Sequence, residues 1–195
     1  MIRLFVLLLA LVLGSPISAQ PAPPAKVALD TSAGRIVILL HLDKAPVTAG
    51  NFLRYVVEKR LDGTSFYRGY GSADYGFVQG GAQNDPRRIL PPIAHEPTSL
   101  TGLVHDDGAL SMARYEPGSA NGDFFIVLGT MPAMDANPQA QGDNAGFAVF
   151  AHVVAGLDIV KAIVAAPKSA TLGEGVMKGQ MLEQPVRILT ARRLP

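Results

Sequence analysis

Short apolar runs, broken at close intervals by Gly, Pro, Asn and Asp, make up most of the chain beyond its first twenty residues. Val27-Ala28-Leu29 and the run from Arg35 to Leu40 flank Thr31-Ser32-Ala33-Gly34, and two such runs around a Gly-containing turn predict a β-hairpin. The pattern then changes period. Val47, Phe52, Tyr55 and Val56 approximate one helical face, so a helix is expected from Pro46 to Arg60. Pro46 suits its first turn, where the missing N–H would be unpaired anyway, and Asp62-Gly63 marks the turn beyond it. Further strands are expected at Ser65 to Arg68, Phe77 to Gln79, Ala109 to Ala113, Phe124 to Leu128, Phe147 to Val153 and Val186 to Ala191. A second helix fits Leu157 to Ala165, stopped before Pro167. Many short strands with two helices predict a mainly β fold, a closed antiparallel β-barrel capped by two α-helices.

The first nineteen residues follow a different rule. Arg3 precedes an unbroken apolar run from Leu4 to Leu13, Gly14, Ser15 and Pro16 break it, and Ile17-Ser18-Ala19 offers a small residue before Gln20. This is the layout of a cleaved secretory signal peptide; the run is too short to span a bilayer, which takes roughly 20 residues. Residues 1–19 are therefore read as a signal peptide cut after Ala19, 20–26 as a Pro-rich linker and 27–195 as one domain. A periplasmic or secreted protein with no stable membrane association after cleavage is expected.

The chain has no Cys, which removes disulfides, thiolate chemistry and lipoprotein processing from consideration. Arg3 is the one charge in the first nineteen residues, so the mature chain balances sixteen basic against sixteen acidic residues, and capture of nucleic acid is not expected. Gly69-Tyr70-Gly71-Ser72-Ala73-Asp74 has Asp where a dinucleotide fingerprint needs its third Gly, and no P-loop or nucleophile elbow occurs. His41, His95, His105 and His152 show no metal-ligand spacing, and His105-Asp106-Asp107-Gly108 reads as a turn. No metal or cofactor is expected.

Five segments in order carry a resemblance. They are Ala45-Pro46-Val47-Thr48-Ala49-Gly50-Asn51-Phe52, Phe66-Tyr67-Arg68, Gln79-Gly80-Gly81, the stretch from Gly108 to Arg114 continuing to Phe124-Phe125-Ile126, and Ala148-Val149-Phe150 leading to Gly156-Leu157-Asp158. Together they resemble the cyclophilin-type peptidyl-prolyl cis–trans isomerases from about Val27 to Leu194. The resemblance implies an eight-stranded barrel with a peptide groove on its outer surface, no cofactor, and proline-containing peptides and unfolded or exported proteins as partners; a monomer is expected, although no sequence feature bears on oligomeric state. It implies Arg68 as the catalytic donor to the prolyl nitrogen and Gln79 as the substrate-binding amide. Phe125 would form the wall of the proline pocket, and Ala113 and Arg114 the stretch whose backbone pairs with bound peptide. Alternation along Phe124-Phe125-Ile126 independently separates Phe125 from its two core-facing neighbours.

Three departures from the family pattern bear on the site. The interval from Arg68 to Gln79 is long, with Gly69 to Asp74 read as an inserted loop, and Phe77 stands one position closer to Gln79 than the family's pocket phenylalanine. Asp123 stands where a glutamine is common, and a carboxylate there could pair with Arg68. Gly142 to Gly146 lacks the usual aromatic, and Phe147 falls where a histidine or tyrosine is usual. Phe77, Asp123 and Phe147 are nonetheless expected to line the groove. These departures leave a second reading open, a peptide-binding or chaperone module with little turnover.

Overall fold

A computed structural model describes residues 25–195; the expected signal peptide, its cleavage site and most of the linker lie outside the described residues. The hairpin forms as expected, from β1 (Ala25–Thr31) and β2 (Gly34–Leu40), paired Thr31 to Gly34 through Ala25 to Leu40. Val27, Leu29, Ile36, Ile38 and Leu40 point inward and are buried. Ala25 and Lys26, read from sequence as the end of the linker, are already paired in β1, because Leu39 and Leu40 across the hairpin extend the ladder to meet them.

Six more strands complete the sheet: β3 (Ser65–Gly71), β4 (Gly76–Gly81), β5 (Ala109–Met112), β6 (Asp123–Leu128), β7 (Ala148–Ala155) and β8 (Met181–Arg193). Their spatial order, β1-β2-β7-β5-β6-β4-β3-β8, closes on itself with every neighbour antiparallel. Closure removes the sheet edges that would otherwise expose unpaired N–H and C=O groups. The interior is filled by side chains, with Phe66, Phe124 and Phe150 among the largest wholly buried. Burying each contributes roughly 1.5–3 kcal/mol.

Two helices, α1 (Pro46–Val57) and α2 (Leu157–Ala165), pack against the barrel, α1 on β7 and β8, α2 on β2, β3 and β4. Phe52 of α1 meets Phe124 edge-on at 5.2 Å and Phe150 at 5.0 Å. The position before α1 is Ala45, which offers no side-chain cap. Buried Glu96 supplies one from a distant loop: it accepts the Val47 N–H at 3.1 Å, the Thr48 N–H at 2.7 Å and the Thr48 hydroxyl at 2.6 Å. A further one-turn helix at Thr98–Thr101 was not expected, since four residues without an apolar stripe carry no periodic signal.

Gly69 to Asp74 departs from the expected inserted loop. Gly69, Tyr70 and Gly71 continue β3, paired to Val78, Phe77 and Gly76, so the extra length lengthens the β3–β4 hairpin. Glycine makes this possible at the tip. Gly76 has φ +149°, and a Cβ there would lie 1.9 Å from the Tyr70 carbonyl oxygen.

Candidate active site

The site begins with an irregularity in β3. Phe66 pairs with Gly80, yet Arg68 pairs with Gln79, leaving Tyr67 as an extra residue on its strand. Simple alternation would send Phe66 and Arg68 to one face. The bulge breaks that alternation, so Phe66 stays in the interior while Tyr67 and Arg68 both reach the outer groove. Gly80 is required opposite: a Cβ there would come within 2.8 Å of the Phe66 ring and of the Ser65 carbonyl oxygen.

The register then sets a row across four strands. Arg68 faces Gln79, Gln79 faces Phe125 and Phe125 faces Ser111. Neighbouring strands lie about 4.8 Å apart, so a cation, an amide and an aromatic wall stand abreast on the outside of the barrel. They line a groove of about 640 Å³ in which all eight sequence-expected residues meet: Arg68, Phe77, Gln79, Ala113, Arg114, Asp123, Phe125 and Phe147.

Phe125 is nearly buried, with Phe77 at 5.5 Å, Phe147 edge-on at 5.3 Å and the His105 ring stacked behind it at 5.9 Å. Phe77 also stacks on Tyr70 at 5.4 Å and lies beneath the Arg68 guanidinium at 5.0 Å. The three phenylalanines form an apolar part of the groove wall. His105 is wholly buried, held by Asp135 at 2.6 Å and Ser111 at 3.0 Å. Burial pushes its imidazole below the usual range, against the pull of Asp135.

Asp123 does not pair with Arg68. Its Oδ2 accepts the Tyr67 hydroxyl at 3.0 Å and its Oδ1 accepts the Gln83 N–H at 2.7 Å. Burial raises the carboxyl above its ordinary range, and those two donors oppose the rise. Burial likewise raises the Tyr67 phenol, with Asp123 adding to it. Since Tyr67 spends its proton on Asp123, it accepts from Gln79 Nε2 at 2.7 Å, which turns Gln79 Oε1 toward Arg68 Nη1 at 2.8 Å. The carboxylate thus orients Gln79 through Tyr67 and leaves the guanidinium unquenched. Among the described residues Arg68 forms no ion pair, and half-burial lowers its pKa from the ordinary value.

Ala113 uses its N–H on the Asp123 carbonyl at 2.9 Å. The Arg114 side chain acts as a brace. It binds both oxygens of Asp143 at 2.7 and 2.9 Å, donates to the Gly146 carbonyl at 2.8 Å and lies over the Phe147 ring at 5.1 Å.

Sequence reasoning missed Tyr67, Gln180, Val176, Met177 and Met181, all of which contact Arg68 or line the groove. Tyr67 lies within the Phe66-Tyr67-Arg68 segment, but strict alternation would set it on the face opposite Arg68, and only the bulge brings both to the groove. Gln180 lies 112 positions from Arg68, and nothing local marks it. Sequence spacing also kept the histidines apart, whereas the fold brings His41 Nε2 to 2.8 Å from His152 Nδ1, with Asp106 at 2.6 Å from His152 Nε2.

A barrel whose outer face carries a cation, an amide and an apolar pocket in one row defines a groove for an extended peptide with a ring to seat. Comparison with known proteins identifies the family. The family described as cyclophilin type peptidyl-prolyl cis-trans isomerase/CLD matches residues 26–193. A peptidyl-prolyl cis-trans isomerase of Acinetobacter baylyi is 34% identical over 188 residues, covering 94% of this chain and 93% of its own. Peptidyl-prolyl cis-trans isomerase cyp18 of Streptomyces antibioticus is 36% identical over 171 residues, 86% of this chain and 98% of its own. A cyclophilin-type isomerase structure from Cryptosporidium parvum superposes with a TM-score of 0.70 at 18% identity, over 88% of this chain and 98% of that one. The chain belongs to the cyclophilin-type peptidyl-prolyl cis-trans isomerases.

Proposed function

We propose that this isomerase works through Arg68, on X-Pro bonds of exported or folding proteins, with Phe125, Phe77 and Phe147 seating the proline ring. Amide resonance sets a barrier of ~20 kcal/mol to rotation about the bond. As the bond twists, conjugation is lost and the prolyl nitrogen becomes pyramidal with a localised lone pair. A guanidinium N–H aimed at that lone pair binds the twisted state more strongly than the planar one, which is the condition for acceleration. Gln79 and the backbone around Ala113 hold the flanking peptide. No nucleophile or proton transfer enters this scheme.

One observation carries the reading: Arg68 stands abreast of Gln79 and Phe125, and its bonded partners are neutral amide oxygens. Asp123, whose place near the motif suggested a quenched cation, is bonded to Tyr67 and Gln83 instead. The test is the isomerisation rate of a proline tetrapeptide. Arg68→Ala should lower the rate constant by ~10²-fold or more, as removal of a preorganised donor does, at an unchanged melting temperature. Arg68→Lys should also be poor, since a point charge does not reproduce a planar fork. Parental turnover by a folded Arg68→Ala protein would remove Arg68 from the mechanism. Peptide binding without turnover by the parent would favour the binding-module reading.

The site of action proposed is outside the cytoplasm, supported by the Arg3, Leu4–Leu13 and Ala19 pattern. N-terminal sequencing should find Gln20 or a residue near it in an exported fraction; an intact Met1 on cytoplasmic protein refutes export. No helix among the described residues is long and apolar enough to cross a membrane.

A further inference from the structure

Arg68 has five N–H bonds to aim, and three are already committed. Nη1 donates one to Gln79 Oε1 at 2.8 Å, while Nε and Nη2 both donate to Gln180 Oε1, at 2.9 and 2.7 Å. Gln180 therefore grips one edge of the guanidinium with a single oxygen. Its own amide is locked in turn, since Nε2 donates to the Val176 carbonyl at 2.7 Å. An arginine can only donate, so the oxygen faces Arg68 and the nitrogen faces Val176.

The backbones of the two residues are fastened together as well. Gly69 donates its N–H to the Gln180 carbonyl at 2.9 Å, and Arg68 lies opposite Met181 in the β3–β8 ladder. Val176 sits in a single 3-10 turn, Gly175–Met177, and both Val176 and Met177 reach the groove wall. The acceptor that holds Arg68 is thus tied through Val176 and Met181 to residues that line the groove.

We propose that Gln180 is a positioning residue for isomerisation: it fixes the plane of the Arg68 guanidinium so that the remaining Nη1 and Nη2 hydrogens point into the groove. This rests on the assignment of Arg68 as donor to the prolyl nitrogen. The amide suits the task because it is neutral. A carboxylate would accept the same two hydrogens, but its charge would cancel the field of the cation and hold it more tightly. Gln180 supplies direction without that cancellation. Catalytic groups need placement within about 0.5 Å, so a freed guanidinium spends most of its time misaligned.

The test uses Gln180→Met, which keeps length and removes the acceptor, Gln180→Glu, which keeps the acceptor and adds charge, and Arg68→Ala. Gln180→Met should lower kcat about tenfold, change the affinity for a proline peptide by less than about threefold and leave the melting temperature unaltered. Gln180→Glu should be equally slow at neutral pH and recover relative to the parent only as pH falls below the ordinary glutamate value of ~4.3, because the adjacent guanidinium depresses the carboxyl and only the protonated acid again offers a neutral oxygen. That recovery is a readout a merely structural role would not move. On the Arg68→Ala background, Gln180→Met should cost nothing further.

Parental kcat in both Gln180 variants, with Arg68→Ala slow, overturns the positioning role and leaves Arg68 in place. Additive losses in the double variant overturn it too, since Gln180 would then act elsewhere. Parental turnover by Arg68→Ala instead refutes the assignment on which the proposal stands.

Discussion

Glu96→Ala isolates a long-range contact that holds α1 in place. In the native protein one carboxylate satisfies two orphan N–H groups of the first helical turn and a buried hydroxyl, at 3.1, 2.7 and 2.6 Å. Thr48 is wholly buried and Glu96 is only 8% exposed, so water reaches the vacated space poorly. Each donor left unsatisfied in such a place costs about 1–3 kcal/mol. Loss of a negative charge at a helix N-terminus adds about 0.3–1 kcal/mol. Partial rescue by one entering water and local relaxation trim the total, which should fall near 3–5 kcal/mol, a large share of the ~5–15 kcal/mol that folds a typical domain. At roughly 2–4 °C per kcal/mol for a domain of this size, the melting temperature should drop by about 6–20 °C. Equilibrium unfolding in urea, run beside a thermal scan, measures both quantities. Glu96→Gln keeps the acceptor oxygen but loses charge and one lone-pair site, so it should lose about 1–2 kcal/mol. Turnover at 10 °C should be parental, because neither Glu96 nor Thr48 lines the groove. A well-folded Glu96→Ala protein that loses less than about 1 kcal/mol would refute the reasoning, showing that the first turn of α1 finds other partners.

Two further outcomes follow from groups around the barrel. Burial depresses the His41 imidazole, and its His152 neighbour adds to the effect; Asp43 and Asp106 pull the other way, while Lys44 reinforces it. Burial also depresses His105. The unfolded chain therefore binds more protons than the fold below pH 6.5, so stability is full above that value and falls as pH drops through the lowered native pKa values. The urea midpoint should fall between pH 7 and 5, and His41→Gln should flatten part of that slope; a midpoint independent of pH over this range would contradict it. Arg114→Ala removes the brace behind Phe147, so peptide KM should rise about three- to tenfold with kcat changed less. Asp143→Asn should do less, because that carboxylate is half exposed and the pair is screened by solvent; equal effects of the two would place the brace in the ion pair alone.

Local pattern was sufficient for much of this protein. The alternation in Val27 to Leu40, the helical stripe after Pro46 and the Leu157 to Ala165 run each identified their element from residues a few positions apart. Resemblance assigned Phe125 to the groove, the two-residue period set it on the face opposite Phe124 and Ile126, and those two are buried in the barrel interior behind it. Resemblance supplied Arg68 and Gln79 as a pair, and the register places them opposite one another. What tertiary structure alone decided is how that pair is aimed. The Tyr67 bulge reverses the face that alternation assigns to Arg68, and bulges depend on the partner strand rather than on the strand's own sequence. The route from Asp123 through Tyr67 to Gln79 turned a suspected ion pair into an orienting relay, a distinction set by side-chain directions across neighbouring positions of β3, β4 and β6. Gln180 and the His41–His152 contact join residues more than a hundred positions apart. Hydrophobic periodicity reports which way a side chain faces relative to its own neighbours. Which distant polar group it meets is set when barrel closure brings β3 beside β8 and β2 beside β7.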